Sequence, residues 1–317
     1  MSREDRFGLS AALATPFDAE GRVDLARLAA HARRCLDQGC DSLTLFGTTG
    51  EGASLSAAER TAMFDAVVGA GVAPSRLVSA VAETAVGTAI LRARDALEAG
   101  VRAVLILPPF YFKAPSDAGV FDWYAAVFGG LGAAGRDVLL YHIPSITAVP
   151  LSIPLVRRLA EAFPGVVRGV KDSGCDWAAT EKLLAARGDL EILVGDERDL
   201  ARAVRSGGAG AISGMANVAP ARIRRLAVDG IDDPAVSELV DAVVTVPVTP
   251  GVKALVAHVG GDAAWARTRA PLEPTPAAQA KMIAAVYDRA IGDAGSDRDR
   301  RGAGRTGGAA GAEKGAG

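Results

Sequence analysis

Histidine and cysteine are both scarce, with only three of each among 317 residues. His31, His142 and His258 are too few and too scattered to suggest a histidine-built metal site. Cys35, Cys40 and Cys175 are odd in number and lack metal-site spacing, which points to reduced thiols in a cytoplasmic protein. Charge of one sign is also lacking: 35 basic against 37 acidic residues leave a net charge of −2. That balance offers no electrostatic case for nucleic acid or an anionic membrane as partner. No apolar run approaches the ~18 residues of a membrane helix, and Met1 to Arg6 lead into no signal-peptide core. No Gly-x-Gly-x-x-Gly follows the first apolar run, which weakens a dinucleotide-binding reading. The expectation is a protein that needs neither metal nor cofactor.

What is present is alternation. Short apolar runs at 9–14, 42–46, 77–81, 103–107, 137–141, 166–170, 190–194 and 209–212 read as strands. Between them lie stretches rich in Ala, Leu, Arg and Glu, such as 24–37, 57–68, 87–99 and 176–186. Ser56 followed by Glu59 is a capping-box pattern ahead of one of them. Eight runs, each followed by a helical stretch, predict parallel strands. The count favours closure into a (β/α)8 TIM barrel over residues 1–230, with a doubly wound open sheet as the rival. Residues 231–291 carry further helical stretches (235–244, 252–259 and 277–290) and no strand, so they read as a helical extension of the same domain. Residues 292–317, rich in Gly, Ala, Arg and Asp, predict a disordered tail.

In a barrel of this kind the segments after the strands converge on one face, where active sites form. Lys171 closes an apolar run, where an ammonium is costly unless paired or deprotonated. Burial lowers a lysine pKa, and a lysine tuned to roughly 7–8 can attack a carbonyl and form a Schiff base. The alternative is a lysine whose stem carries its charge to solvent. The second strand is followed by Gly47-Thr48-Thr49-Gly50-Glu51-Gly52, either a turn using glycine for positive φ or a nest of N–H groups and hydroxyls for a carboxylate. Tyr141 ends the fifth strand and is either a core phenol or a proton carrier. Asp196 and Glu197 either cap a helix starting near Arg198 or face the mouth. A carboxylate cradle, a phenol and an amine together suit a 2-oxo acid.

Gly47-Thr48-Thr49-Gly50-Glu51, Tyr141-His142-Ile143-Pro144-Ser145 and Gly169-Val170-Lys171-Asp172 resemble the signatures of the dihydrodipicolinate synthase / N-acetylneuraminate lyase family. Thr15-Pro16-Phe17 and Pro247-Val248-Thr249-Pro250-Gly251-Val252-Lys253 fit the same likeness, which spans roughly residues 8–291. The resemblance implies a (β/α)8 barrel with a helical extension, a homotetramer built as a dimer of dimers, and Schiff-base chemistry on pyruvate or a longer 2-oxo acid. By the same likeness Lys171 is the Schiff-base lysine and Tyr141 the general acid/base. Thr49 and the Thr48 backbone hold the carboxylate, the Thr48 hydroxyl joins Tyr141 in a proton relay, and Gly47 opens that loop. Tyr111 matches the tyrosine lent to a neighbouring subunit. Gly195 and Ile212 line the keto-acid pocket, while Ser173, Glu197 and Ser213 choose the distal part of the substrate, Glu197 being the candidate for sugar hydroxyls.

One departure bears on substrate. Ile146 stands where dihydrodipicolinate synthases carry an arginine for the second substrate's carboxylate, and an isoleucine cannot make that bidentate contact. The expected activity is therefore aldol cleavage of a 2-keto-3-deoxy sugar acid to pyruvate and an aldehyde. A dehydratase or deaminase of a related 2-keto acid is the near alternative. A 4-hydroxy-tetrahydrodipicolinate synthase, disfavoured by Ile146, and a non-catalytic sugar-acid-binding barrel are the others. Glu83, after the third strand, is expected to help shape the pocket.

Overall fold

The computed structural model describes residues 6–292, so the expected disorder of the tail falls almost wholly outside the described residues. Eight parallel strands, β1 (Gly8–Ala12), β2 (Ser42–Leu45), β3 (Leu77–Val81), β4 (Ala103–Ile106), β5 (Val138–His142), β6 (Val167–Asp172), β7 (Glu191–Val194) and β8 (Gly210–Ser213), close into a barrel in chain order. β8 returns to β1 in the register Gly8↔Gly210, and this closure rules out the open sheet. The strands are buried on both faces, which is why they read as continuous apolar runs rather than alternating ones.

The outer layer is α1 (Leu25–Asp37), α2 (Ala57–Gly69), α3 (Val86–Glu98), α4 (Asp117–Leu131), the single turn α5 (Pro144–Thr147), α6 (Ile153–Ala162), α7 (Trp177–Ala185), α8 (Leu200–Arg205) and α9 (Pro220–Ala227). Local chemistry sets several of their starts. Asp24, Ser116, Ser152 and Asp176 each accept a hydrogen bond from the first turn of their helix, and Ser56 with Glu59 forms the full capping box. At Gly130 on α4 a Cβ would fall 2.2 Å from Ile90 Cδ1, so the missing side chain is what lets α3 and α4 approach.

Three more helices follow: α10 (Pro234–Val243), α11 (Val248–Gly260) and α12 (Ala277–Tyr287). The second starts four residues before the sequence expectation, because Pro250 lies in its first turn, where the missing N–H has no helical partner to lose. Val248, Thr249 and Val252 of α11 wall one side of the barrel mouth, while Lys253 and Val256 are buried on the same helix. Among the described residues no single helix is long and apolar enough to cross a membrane.

Candidate active site

Lys171 lies within β6 rather than just past its end, since the strand runs on to Asp172. Alternation along β6 then separates two neighbours. Asp172 turns outward and accepts from Thr180 Oγ1 of α7 at 2.7 Å and from Gly174 N at 2.9 Å. Lys171 turns inward. Its register partner on β5 is Tyr141, which puts both side chains on one face. Lys171 Nζ donates to the Tyr141 hydroxyl at 3.1 Å and stands 4.3 Å from the ring centroid. Thr48 Oγ1 lies 3.4 Å from the same hydroxyl. Tyr141 is 2% and Lys171 6% exposed, so the three groups meet where water is largely excluded. Burial raises the Tyr141 phenol, but the Lys171 charge and hydrogen bonds from Thr48, Lys171 and Ser173 outweigh it and hold its pKa below the ordinary tyrosine value.

The loop after β2 is shaped differently from a glycine turn. Its positive φ angles fall on Phe46 (63°) and Glu51 (53°), which overturns the reading that its glycines supply left-handed backbone. The glycines permit close approach instead. A Cβ on Gly52 would come 1.7 Å from Phe46 O, and one on Gly50 2.7 Å from Leu13 O. Thr15 Oγ1 donates to Gly50 O at 2.6 Å and Thr249 Oγ1 to Thr48 O at 3.1 Å, so both ends of the chain brace the loop. Glu51 is buried and pairs with Lys253 at 2.5 Å. Of the two buried lysines among the described residues, Lys253 is therefore neutralised in an ion pair away from the cavity, while Lys171 opens onto it.

That cavity, of about 200 Å³, is lined at its floor by Lys171, Tyr141, Thr48 and Thr49, with Ser173, Gly195 and Ile212 beside them. A Cβ at Gly195 would stand 2.2 Å from Ser173 Oγ, so this glycine leaves room for the hydroxyl that reaches Tyr141. Glu197 also lines the cavity, yet it does not cap the helix that follows it. α8 begins only at Leu200, and Glu197 Oε1 accepts from Ser213 Oγ at 2.6 Å and Met215 N at 3.2 Å across to the β8 end. Burial raises its pKa. Asp196 is gripped by Arg198, whose Nη2 donates at 2.6 Å. Cys175, at the same wall, has its thiol pushed up to about 11, chiefly by burial and then by Asp196. That is the wrong direction for a nucleophile.

Three candidates are not brought to the cavity wall. The Gly47 carbonyl accepts from Gly52 N inside the loop, and Ser213 is engaged with Glu197 behind the wall. Tyr111 is 73% exposed, set edge-on to Phe112 at 5.2 Å. Glu83 does not shape the pocket either: it faces Arg60 and Arg92, each at 4.0 Å, on the outer side of the barrel. Sequence reasoning missed the wall from the C-terminal helices, namely Val240, Val243, Val244, Val248 and Val252 with Thr249. Only the Pro247–Lys253 motif hinted at it. Among the described residues no group of three or more His, Cys, Asp and Glu could hold a metal ion.

Comparisons with known proteins follow the same line. A family model described as the dihydrodipicolinate synthetase family matches residues 5–286. An uncharacterized DapA-like lyase of Chloroflexus aurantiacus is 32% identical over 297 residues, covering 89% of this chain and 96% of its own. The 4-hydroxy-tetrahydrodipicolinate synthase 1 of Streptomyces coelicolor is 32% identical over 308 residues, with 92% and 97% covered. The crystal structure of dihydrodipicolinate synthase from Agrobacterium tumefaciens superposes with a TM-score of 0.89 at 51% identity, covering 90% of this chain and all of that one. With an inward lysine, a phenol and a threonine assembled at the mouth of a closed barrel, and relatives matched end to end, the chain belongs to the dihydrodipicolinate synthetase family.

Proposed function

We propose that this protein is a class I lyase that cleaves a 4-hydroxy-2-oxo acid to pyruvate and an aldehyde through a Schiff base on Lys171. The observation that carries this reading is the 3.1 Å contact between Lys171 Nζ and the Tyr141 hydroxyl, with Thr48 at 3.4 Å, on the floor of a cavity. The neutral amine adds to the C2 carbonyl and water leaves, giving an iminium. A base takes the proton of the C4 hydroxyl, the C3–C4 bond breaks, and its electron pair moves into the iminium as the aldehyde departs. The enamine is protonated at C3 and water releases pyruvate. Tyr141, whose proton is loosened by Lys171, is placed to carry these protons, with Thr48 and Thr49 beside it for the substrate carboxylate. The sequence reading of the substrate as a 2-keto-3-deoxy sugar acid rested on Ile146, with Glu197 as the candidate for contacting the sugar hydroxyls. Its Oε1 is already taken, which leaves one carboxylate oxygen for that role.

The same iminium supports loss of water or ammonia, so dehydration or deamination is the nearest alternative chemistry. A synthase reading gains weight from the 51%-identical Agrobacterium structure and loses it at Ile146, which lines the cavity where a carboxylate-binding arginine would be needed. A binding-only barrel has no use for an amine and phenol held in contact.

Borohydride reduction with pyruvate tests the reading. A reduced adduct at Lys171 is the expected result, and an unmodified Lys171 peptide in the mass spectrum rejects it. Pyruvate release from 4-hydroxy-2-oxo acids, run beside condensation of pyruvate with aspartate semialdehyde, separates lyase from synthase.

We also propose a homo-oligomeric, cytoplasmic enzyme assembled as a dimer of dimers; the exposed Tyr111–Phe112 pair supports only the association of subunits, with Tyr111 completing a neighbour's relay. Light scattering of the purified protein tests the assembly, and a monomer would reject it.

A further inference from the structure

The floor and the mouth of the cavity differ in chemistry. Beyond Lys171, Tyr141 and the threonines, one side of the way out is bordered by side chains with no polar atom, Ile146 on α5, Val240, Val243 and Val244 at the end of α10, and Val248 at the start of α11, facing a side that carries Ser145, Cys175, Asp196, Glu197 and Arg198. Three of these are among the few large apolar side chains left exposed on the described surface, Ile146 at 59% and Val244 and Val248 at 48% each. Single exposed apolar residues are ordinary. Three around the entrance to one cavity, above a buried amine, are a selective surface. The charged side chains opposite are largely engaged, with one oxygen of the buried Glu197 left over. Arg198 holds Asp196 at 2.6 Å and Asp241 at 2.8 Å, and Glu197 Oε1 holds Ser213 and Met215.

From this arrangement we infer that the part of the substrate released as aldehyde carries an apolar alkyl or aryl substituent rather than a polyol. The inference rests on the Schiff-base lyase reading and names its substrate class: R–CH(OH)–CH2–CO–COO⁻, with R apolar. Lysine attack and water loss form the iminium, the C4 hydroxyl gives up its proton, and the C3–C4 pair enters the iminium. R–CHO leaves, the proton taken from the C4 hydroxyl goes to C3 of the enamine, and hydrolysis of the resulting iminium takes up the one water lost at its formation to free pyruvate and the Lys171 amine. A polyol along this wall would turn hydroxyls toward valine and isoleucine methyls with no partner, which disfavours it. An alkyl or aryl group removes its own surface and that of the wall from water, at about fourfold in kcat/KM per buried methylene.

The test is a panel of 4-hydroxy-2-oxo acids in which R is methyl, propyl, pentyl, phenyl or a polyhydroxylated chain of matching length, assayed for pyruvate release. The expected result is a rise of about fourfold per methylene until the mouth is filled, with pentyl or phenyl at least about tenfold above the matching polyol. A Val244→Ser/Val248→Ser double variant, changed at two half-exposed positions, is expected to shrink that ratio by about fourfold or more. Equal or better turnover of the polyols overturns the inference, as does an unchanged ratio in the variant. Borohydride trapping of the unsubstituted protein with pyruvate keeps the two readings apart. No adduct means the lyase reading itself has failed, whereas an adduct together with polyol preference defeats the apolar substituent alone.

Discussion

Lys253 and Glu51 form an ion pair in which neither side chain has any exposed surface, with Nζ 2.5 Å from Oε1. Glu51 closes the loop that follows β2, and its other oxygen accepts from Arg269 N at 2.8 Å. Lys253 sits on α11 with its ammonium 4.4 Å from the Phe17 ring centroid. One pair thus ties the loop bearing Thr48 and Thr49 to the C-terminal helices that wall the cavity. Burial lowers the Lys253 pKa and the Glu51 charge opposes that shift. Such a pair adds little net stability, but losing one partner leaves an uncompensated buried charge.

Lys253→Met should therefore destabilise the fold by roughly 3–5 kcal/mol, whereas the Glu51→Gln/Lys253→Met double variant should recover much of that loss. Denaturant midpoints at constant slope would check it. If the single and double variants unfold at the same midpoint, the pair is not acting as a unit.

This relationship also marks the boundary of what the chain reveals as text. The eight strands were legible because each is buried on both faces and so forms an unbroken apolar run; their ends moved by a residue or two, enough to draw Lys171 inside β6. Lys171, Tyr141 and Thr48 could be named because each stands at or just past the end of a strand. Glu51 and Lys253 could not be matched by reasoning along the chain, since 202 residues separate them and only the closed barrel brings them together. Phe46 in left-handed backbone carries no composition signal, as the neighbouring glycines draw the eye instead. The valine wall failed for the same reason as the pair: α10 and α11 look like ordinary apolar helices until they fold over the mouth. Glu83 misled because position after a strand does not say which way a side chain turns.

Gly195→Ala examines the support beneath Tyr141. The added Cβ would stand 2.2 Å from Ser173 Oγ and 3.3 Å from Asp172 O, so the serine hydroxyl has to move. With that hydrogen bond gone, the Tyr141 pKa should rise toward the ordinary tyrosine value. The alkaline limb of a kcat profile should shift upward and kcat fall by about tenfold, against about 10²–10⁴-fold for Tyr141→Phe. A profile that keeps its shape would remove Ser173 from the relay.

The stability of the barrel should depend on His31. Buried on α1 against the turn that follows β8, it lies 2.9 Å from Asn217 Oδ1 through Nε2 and accepts from Arg34 through Nδ1 at 3.0 Å, an arrangement that suits only the neutral ring. Burial, and after it the Arg34 charge, lowers its pKa from 6.5 to about 4 despite the Asn217 bond. The unfolded chain then binds the extra proton first. The stabilising contribution is complete above about pH 6.5 and is lost as pH falls toward 4, by roughly 3 kcal/mol in all. Unfolding midpoints between pH 7 and pH 4.5 should fall accordingly, and His31→Gln should flatten that part of the curve. Equal slopes in both proteins would assign the dependence to other groups.

Ile146→Arg tests whether the rim selects the aldehyde. The position is 59% exposed and belongs to the short helix that follows β5, so a longer side chain can point outward without disturbing the core. A guanidinium there offers two parallel donors to a carboxylate on the incoming aldehyde. Exposure weakens that contact to about 1–1.5 kcal/mol, which is roughly tenfold in kcat/KM. The variant should gain about that factor in condensing pyruvate with an aldehyde that carries a carboxylate. It should lose a similar factor with an apolar aldehyde, because the arginine puts a hydrated charge where the isoleucine offered methyl groups. Steady-state condensation rates with the two aldehydes, at fixed pyruvate and low salt, give the ratio directly. A ratio unchanged from the parent enzyme would mean that the aldehyde never reaches Ile146, and that selection happens deeper, beside Ser173 and Glu197.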